Sequence, residues 1–560
     1  MKEGINPSQI EEYTRELTAI PSVNESWNEE EDKFNESIIA EKIKAVFDSL
    51  NIRCILQNLP PETVTIKNES KTGIRKNVFA FIPGKSSKTI ILAGHFDTVG
   101  TNDFQKLGLR PEEAFDSKAV AQQLQIDTEK YLAGRGSFDM KSGIAAGVSL
   151  MNYFNCHRDE LDGSILFVGT CDEENNSYGI LNASEILLQA KGAITPEEQV
   201  RDLVGDQVLD LLGVINMDYT TQRYPADPEY HVWNGTIGKL LPSIYVRGQE
   251  THAGEHFAGF HASSLLARIT SHIDGNMQLA DTNVPPTTLK FTDNRLVYDV
   301  MTASSARAYF NFFTTGKTPG EVLSQIETLT KDSLESYLDN ISRNYQIYCQ
   351  RMNLPLEDYG WEKRTRVMKY SDLLTEISMH FGNEETENII KEAIASCKLE
   401  DLREKSFAVI ESLLNKLEQK DPTIVIFFSP PFYPYIKPDT DNLAQTVRAR
   451  SNEVGKQNNI EITMHDFYPY ISDMSYLRIE PEIRESLSGL VNEMPLWQRG
   501  YSLNLDKVEK LNLPVVNIGP YGFGAHKTGE MVERYYSFNI LPGLIIETVN
   551  DLLTTHANIK

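Results

Sequence analysis

The sequence has little cysteine, a deficit of positive charge and no long hydrophobic run. Five cysteines occur in 560 residues, far apart and without a CxxC pair, which argues against a disulfide framework and against a cysteine-based zinc site. Lysine and arginine number 54 against 79 acidic residues, and the resulting net charge of −25 opposes binding to nucleic acid or to an anionic membrane. No stretch approaches the roughly 18 apolar residues of a membrane span, and the N-terminal stretch lacks the apolar segment of a signal peptide. These absences predict a cytoplasmic protein without nucleic-acid or membrane partners.

The order of apolar runs predicts the fold class. From about residue 88, short β-rich runs such as KTIILAGHFD and SILFVGT alternate with helical stretches such as KSGIAAGVSLMNYF. Continuous apolar strands that alternate with helices are typical of an α/β domain whose mostly parallel sheet is flanked by helices. The pattern changes near Pro242 and becomes nearly all helical over 321–419. We therefore expect a discontinuous catalytic domain, 1–241 and 431–560, and an inserted α+β lid domain, 242–430, with an extra helical block at about 325–420.

Acidic and imidazole side chains follow the predicted strands and one glycine-rich turn. Ligands of open α/β sheets bind at the carboxyl ends of the strands, where these residues are expected to gather. Each motif by itself has a structural explanation, such as a His–Asp pair, a helix N-cap or a solvated acidic turn. Together they suggest a site, and its members are His95 and Asp97 in GHFDTVG, Asp139 in GRGSFDMKSG, Glu173 and Glu174 in CDEEN, Asp218 in NMDYT, and His526 in GFGAHKTGE.

The donor types in this set match a two-metal site. Two imidazoles and three carboxylates can hold two zinc ions, with one carboxylate bridging and a water in the remaining position. Without metal, the gathered carboxylates would repel one another and their pKa values would rise. One of the two consecutive glutamates could bind metal while its neighbour acts as a general base. The predicted ligands are His95, Asp139, Glu174, Asp218 and His526.

The motifs and their order resemble the dizinc amidohydrolase family that includes acetylornithine deacetylase, succinyl-diaminopimelate desuccinylase, aminoacylases and dipeptidases. The matching pieces are LTAIPSVN, GHFDTVG, GRGSFDMKSG, DEE, the late aspartate, THAG with GFHA, and GPYGFGAHKTGE. The resemblance implies a zinc-peptidase-like catalytic domain with an inserted lid. It also implies His95 and Asp218 on one metal, Glu174 and His526 on the other, and Asp139 as the bridge.

The same resemblance implies three catalytic roles. Glu173 would take a proton from the bridging water and pass it to the leaving nitrogen, and Asp97 would orient His95. His252 would reach from the lid to stabilise the oxyanion. Zinc is the expected metal, with cobalt and manganese as alternatives. The expected protein is a monomer or a homodimer that acts on a small amino-acid-derived substrate.

Two departures from the family pattern bear on the substrate. Family members that bind free α-carboxylates carry an Asn-x-Arg pattern in the lid, whereas Asn311 here is followed by Phe312 and Phe313. Arg295 or Arg307 could replace that arginine, or the substrate could lack the carboxylate. The lid is also longer than in most members. In its length and overall pattern the chain resembles a bacterial arginine-utilisation protein.

These observations predict a metal-dependent hydrolase that cleaves the amide C–N bond of an N-acyl amino acid or short peptide, linked to arginine catabolism. The alternative is a relative of these hydrolases that binds metal and ligand but has lost catalysis. Turnover by a chain with an intact metal site separates the two.

Overall fold

The computed structural model describes residues 5–66 and 69–554. Positions 1–4, 67–68 and 555–560, which include the outer ends of the predicted catalytic domain, lie outside the described residues. The strands are, in chain order, β1 (Trp27–Asn28), β2 (Lys33–Phe34), β3 (Arg53–Asn58), β4 (Glu62–Ile66), β5 (Glu69–Gly73), β6 (Lys76–Ile82), β7 (Lys88–His95), β8 (Tyr131–Ala133), β9 (Ser164–Thr170), β10 (Asp210–Asn216), β11 (Tyr230–Thr236), β12 (Gly238–Arg247), β13 (Thr287–Asp293), β14 (Ser305–Thr314), β15 (Arg366–Lys369), β16 (Thr423–Tyr433), β17 (Ile462–Tyr468), β18 (Val515–Asn517), β19 (Gly522–Phe523) and β20 (Met531–Glu533).

The α-helices separate these strands and are concentrated between β14 and β16. They are, in chain order, α1 (Pro7–Thr18), α2 (Asn35–Ser49), α3 (Ser117–Leu124), α4 (Ser142–Cys156), α5 (Tyr178–Ala190), α6 (Glu198–Val204), α7 (Ala262–Ile273), α8 (Pro319–Met352), α9 (Trp361–Arg364), α10 (Tyr370–Phe381), α11 (Asn383–Ser396), α12 (Leu402–Lys416), α13 (Asn442–Asn458), α14 (Pro481–Glu485), α15 (Ser488–Val491), α16 (Leu505–Leu511) and α17 (Leu541–Thr554).

The first compact unit comprises Met1–Thr236, Ile436–Ile479 and Asn504–Lys560. Its eight-stranded sheet has the order β17-β11-β18-β10-β7-β9-β6-β3. Strands β18, β10, β7 and β9 run parallel to one another in the centre, whereas β11 is antiparallel to β18 and β6 to β9. This mostly parallel sheet with flanking helices confirms the predicted α/β class.

Helix α4 packs closely against the central strands. Gly147 has no side chain where a Cβ would come within 2.7 Å of Phe167 in β9 and of the Met217 side chain just after β10. Apolar residues of β9 are buried throughout, as expected for a central strand covered on both faces. The close packing places the N-terminus of α4 beside the carboxyl ends of β7 and β10.

The second compact unit comprises Ile237–Tyr435 and Glu480–Leu503. Its five-stranded sheet has the order β13-β14-β12-β16-β15, antiparallel except for the β15–β16 pair. The long helix α8 begins with a capping box between Thr318 and Glu321 and with Pro319 in its first turn, both typical helix-start signals. The helix ends at Met352, and the C-cap residue Asn353, with a left-handed φ of 54°, terminates it.

The chain passes from one compact unit to the other a few residues away from the predicted domain boundaries. The sequence-based division at 241/242 and 430/431 stays a prediction, whereas the units change at Thr236/Ile237 and Tyr435/Ile436. The second unit also includes Glu480–Leu503, since Glu493 accepts hydrogen bonds from Ser371 and its own carbonyl accepts one from Phe428 N–H. None of the helices in the described ranges is long and apolar enough to cross a membrane.

Candidate metal centre

Three adjacent parallel strands bring histidine and acidic residues to one edge of the sheet. Strand β7 ends at His95, and its neighbour β10 ends two residues before Asp218, with Asn216 paired to Ala93. On the other side of β7, strand β9 ends at Thr170 and the chain continues into the turn that carries Glu173 and Glu174. The carboxyl ends of parallel strands meet at the same edge, so the local motifs become neighbours.

Asp139 lies between two histidines. Its Oδ1 is 3.2 Å from Nε2 of His95, and its Oδ2 is 3.1 Å from Nε2 of His526. Nε2 of His526 is also 3.0 Å from Oε2 of Glu174. The Asp139 carboxylate therefore presents one oxygen to each side, the arrangement that a bridging ligand needs.

The donor atoms form two groups that share this carboxylate. His95, Asp139 and Asp218 each offer an atom within 4.8 Å of the others, and so do Asp139, Glu174 and His526. The family resemblance implies the same two groupings for two metal ions. All five predicted ligands are thus brought together, while their assignment to ions stays a prediction.

The turn that carries Glu173 and Glu174 is held by Asp97. The Asp97 carboxylate, which is fully buried, accepts hydrogen bonds from the backbone N–H groups of both glutamates at 3.1 Å. Asn24 Nδ2 donates to the same carboxylate at 3.0 Å and to Asp172 at 2.9 Å. Asp97 Oδ1 lies 3.5 Å from Nδ1 of His95. Asp97 therefore positions the predicted base as well as facing the predicted ligand His95.

The electrostatics of the carboxylates fit a divalent cation. Burial and the neighbouring Asp139 carboxylate raise the pKa of Asp218 to about 7. Burial raises the pKa of Glu173 well above its usual range, and the pKa of Glu174 is raised by burial and by Asp139. Although burial opposes the charged form, hydrogen bonds to His526 and His95 lower the pKa of Asp139. Metal ions placed among these oxygens and imidazole nitrogens would compensate the repulsion, so the residues present fit a two-metal site.

A second carboxylate supports the loop that presents Asp139. Glu530 is buried, and its Oε1 accepts hydrogen bonds from the backbone N–H groups of Gly136 at 2.7 Å and of Asp139 at 3.2 Å. Its Oε2 accepts from Arg135 Nη1 at 2.6 Å. No role was predicted for Glu530 from the sequence, although this residue stands four residues after His526 in the same motif.

Another buried carboxylate near the predicted base is Asp473, which sequence analysis also missed. It is 2% exposed and begins a short 3₁₀ helix, Asp473–Leu477. Its charge contributes to the raised pKa of Glu173. The segment ISDMSYL that carries it has no motif that would have revealed this placement.

The second unit holds the remaining predicted residues. His252 is exposed and caps the 3₁₀ helix Ala253–Ala258, its Nδ1 accepting a hydrogen bond from Gly254 N–H at 3.1 Å. Arg307 pairs with Glu404 at 2.7 Å, and Arg295 pairs with Asp299 at 2.5 Å and with Glu250 at 2.8 Å. Phe312 is buried in β14. The role of His252 and the replacement for the missing lid arginine stay predictions.

Comparison with known proteins identifies the family. The model of "Peptidase family M20/M25/M40" matches residues 91–493, which is most of the chain. The chain belongs to peptidase family M20/M25/M40. The predicted family resemblance is confirmed, and this M20 chain is thus a member of a family of metallopeptidases and amidohydrolases.

Individual relatives agree with this assignment. Protein RocB of Bacillus subtilis is 29% identical over 577 aligned positions, covering 99% of this chain and 96% of RocB. The succinyl-diaminopimelate desuccinylase of Bordetella bronchiseptica is 26% identical over 46% of this chain and 61% of that protein. An M20 family metallo-carboxypeptidase from Sulfolobus solfataricus has the same fold, with a TM-score of 0.53 at 12% identity over 97% of this chain and 99% of that one.

Proposed function

We propose that this M20 chain is a metal-dependent hydrolase that cleaves the amide C–N bond of an N-acyl amino acid or a short peptide. The observation that carries the proposal is the pair of donor groups that share Asp139. His95 and Asp218 would hold one divalent ion, and Glu174 and His526 the other. Two nitrogen and three carboxylate donors suit zinc, and cobalt or manganese could occupy the same positions.

Each residue has a separate task in the proposed reaction. Two bound divalent ions would lower the pKa of a water molecule and polarise the carbonyl of the scissile amide. Glu173 would take a proton from the water as its oxygen bonds to the carbonyl carbon, and would deliver that proton to the nitrogen as the C–N bond breaks, so that the products are a carboxylate and an amine. Asp97 holds Glu173 and Glu174 in place through their backbone N–H groups. His252 is assigned to the developing oxyanion.

The proposed substrate class is an acylated or peptide-linked amino acid with a cationic side chain, related to arginine. The resemblance of the long lid to a bacterial arginine-utilisation protein suggests this class, and the similarity to RocB extends over the full length of the chain. The net charge of −25 favours the approach of a cationic substrate. Asn311 is followed by Phe312 and Phe313 and so lacks the arginine of the Asn-x-Arg pattern, which is compatible with a different anchor.

Metal content and turnover test the hydrolase. We expect the purified chain to bind the two ions of this centre. The Asp139→Ala variant should lose them or bind them with lower affinity. Glu173→Gln should keep the metals but lower kcat by about 10²–10⁴-fold on a panel of N-acyl amino acids and dipeptides. The exposed Glu129→Gln variant serves as the matched control and should keep full activity.

Two outcomes would contradict this proposal. Near-wild-type turnover in Glu173→Gln would remove the assigned base. Binding of substrates and metals without turnover by the wild type would instead identify a binding relative that has lost catalysis.

A pair of nearly isosteric substrates tests the arginine class. Nα-acetyl-arginine and Nα-acetyl-citrulline differ in the charge of the side-chain end group. We expect kcat/KM to be at least about tenfold higher for the arginine compound, since a charged hydrogen-bonded contact contributes roughly 1.5–3 kcal/mol. Equal values would contradict the cationic substrate class and leave the hydrolase proposal standing.

A further inference from the structure

A second cluster of metal-type ligands lies away from the Asp139 centre, on the two strands β11 and β17 at one edge of the same sheet. His231 is the second residue of strand β11, and the edge strand β17 carries His465. Trp233 pairs with His465 across the two parallel strands. Because side chains alternate along a strand, His231, Trp233 and His465 lie on the same face. Glu229, two residues before His231, adds a carboxylate beside them.

The donor atoms of this cluster lie close enough together to share one ion. Nδ1 of His231 lies 3.1 Å from Nε2 of His465. Glu229, His231 and His465 each offer a donor atom within 4.8 Å of the other two. The same mutual closeness defines the two groups around Asp139. Two strands, β18 and β10, lie between β11 and β7, so that β11 is three strand spacings of about 4.8 Å from the strand that ends at His95. The two clusters share no residue and are distinct.

The protonation of His231 is set by Asp227. Nε2 of His231 lies 3.0 Å from Oδ2 of Asp227, whose carboxylate also accepts N–H groups of Arg223 at 3.1 Å and of Glu229 at 3.2 Å. An ionised carboxylate only accepts hydrogen bonds, so Nε2 of His231 donates the proton. In the neutral ring this leaves the lone pair on Nδ1, which faces His465. Metal-bound histidines are oriented by such a carboxylate on the opposite ring nitrogen.

Two explanations of the 3.1 Å distance between Nδ1 of His231 and Nε2 of His465 differ in whether Glu229 takes part. In a hydrogen bond between the rings, Nε2 of His465 donates to Nδ1 of His231, and Glu229 has no part. In a tetrahedral site, two imidazole nitrogens at about 2.0–2.1 Å from zinc stand roughly 3.3 Å apart, and a carboxylate oxygen joins them. Asp227 and Glu229 bring two negative charges against the single positive charge of the nearby Arg223. Charge and donor set therefore favour a cation.

We propose that Glu229, His231 and His465 form a third divalent-metal site of the zinc class, which joins the edge strand β17 to β11. Two imidazoles and one carboxylate leave a fourth position for water. Glu229 and His465 are half-buried, so an ion can reach the site, whereas His231 is fully buried. The site is independent of the proposed hydrolase, since it shares no residue with the Asp139 centre.

Metal counting on matched variants tests this site. The full chain is stripped with a chelator, reloaded with Zn²⁺, freed of excess ion and analysed by mass spectrometry. His465→Gln and Glu229→Gln should each bind one equivalent less than the wild type. His380→Gln, an exposed histidine on α10, is the control and should bind the wild-type number. Equal zinc content in His465→Gln and His380→Gln would overturn the proposal and favour the ring–ring hydrogen bond.

A spectroscopic measurement separates this ion from those of the Asp139 centre. In an Asp139→Asn background, titration with Co²⁺ should give a visible absorption band of one further site, which His465→Gln abolishes and His380→Gln retains. Zn²⁺ should raise the thermal midpoint of Asp139→Asn, and adding His465→Gln should remove that rise. An unchanged band and an unchanged rise after His465→Gln would also overturn the proposal. Loss of hydrolysis does not enter either readout, so the two proposals fail separately.

Discussion

Asp97 shows how one buried carboxylate can organise several parts of the centre. It accepts the backbone N–H groups of Glu173 and Glu174 and a side-chain N–H of Asn24. Although burial opposes ionisation, hydrogen bonding to His95 and Asn24 lowers the pKa of Asp97. The ionised carboxylate is therefore the form that holds the turn. Both of its oxygens must accept a hydrogen bond, one from each glutamate N–H.

The Asp97→Asn variant should disturb the centre without removing a predicted ligand. An amide offers one acceptor oxygen and one donor NH₂, which would face a backbone N–H that now has no acceptor. We expect metal affinity or turnover to fall by about 10–100-fold, as is typical for residues that orient metal ligands. Metal titration and kcat measure this, with the exposed Asp159→Asn as control. Unchanged values for both quantities in Asp97→Asn would show that the turn does not depend on this carboxylate.

At the scale of elements, the approach of α4 to the sheet sets the position of Asp139. Gly143, in the first turn of α4, faces the Met217 carbonyl, where an added Cβ would lie 2.1 Å from the oxygen. Met217 is the residue before Asp218, so helix and strand end are in direct contact at the predicted site. Backbone atoms on both sides prevent a local adjustment.

The Gly143→Ala variant should therefore displace α4 and weaken the centre. Overpacking of a tight contact costs about 1–3 kcal/mol, and we expect a lower thermal midpoint together with weaker metal binding. Gly543, in α17, has no atom within 4 Å of an added Cβ and provides the control. Gly543→Ala should raise the midpoint slightly, since alanine favours a helix by about 0.5–1 kcal/mol. The reverse ranking of the two variants would contradict this packing argument.

Helix α12 begins at an N-cap whose charge makes its contribution pH-dependent. Asp401 accepts hydrogen bonds from the N–H groups of Arg403 at 2.8 Å and Glu404 at 3.1 Å. Although burial opposes it, the side chain of Arg403 lowers the pKa of Asp401 below its ordinary 3.8. A group with a lowered folded-state pKa stabilises the fold above the unfolded pKa and loses that contribution as pH falls through the folded pKa.

The Asp401→Ala variant should cost about 1 kcal/mol at pH 7, a typical value for a lost N-cap. The difference from the wild type should shrink below about pH 4, because protonation removes the same interaction from the wild type. The midpoint of urea unfolding at pH 7 and pH 3.5 measures this. Asp401→Asn keeps a cap without the charge, so its difference from the wild type should be smaller at pH 7 and should also shrink as pH falls and the wild-type carboxylate is protonated. A constant Asp401→Ala difference across that range would contradict the charge contribution.

The first unit gathers several buried and half-buried carboxylates at one sheet edge. Glu173, Glu174, Asp218 and Asp473 all have raised pKa values, with burial as the largest cause. Bound divalent ions would offset this cost in the folded state but not in the unfolded chain. Metal binding and the stability of the first unit should thus be linked.

Removal of metal should lower the stability of the first unit. An ion at a thousandfold excess over its Kd contributes about 4 kcal/mol to folding. After treatment with a chelator, we expect faster hydrogen exchange in β7 and β10, reversed by Zn²⁺. Amides of the five-stranded sheet in the second unit are the internal reference and should exchange at an unchanged rate. Equal protection of β7 with and without metal, once metal loss is verified, would contradict the linkage.

The fold class, the family and the five ligand candidates could be predicted from the sequence alone. This was possible because each motif is local: an apolar strand and the His, Asp or Glu that follows it occupy about ten consecutive residues. Parallel strands place such ends at one edge, so a local pattern repeated along the chain is enough to predict a shared site. The support of the ligand loop by Glu530 was not predicted, although the residue lies within a quoted motif, because its partner Arg135 is 395 positions away.

Contacts between residues far apart in the chain could not be predicted and follow from the folded structure. His231 and His465 are 234 positions apart and become neighbours because β11 and β17 pair at the edge of the sheet. Asp473 approaches Glu173, and Glu480–Leu503 joins the second unit, for the same reason. Strand order and helix packing come from the burial of the whole core, and periodicity within a short segment carries no record of the partner across the sheet.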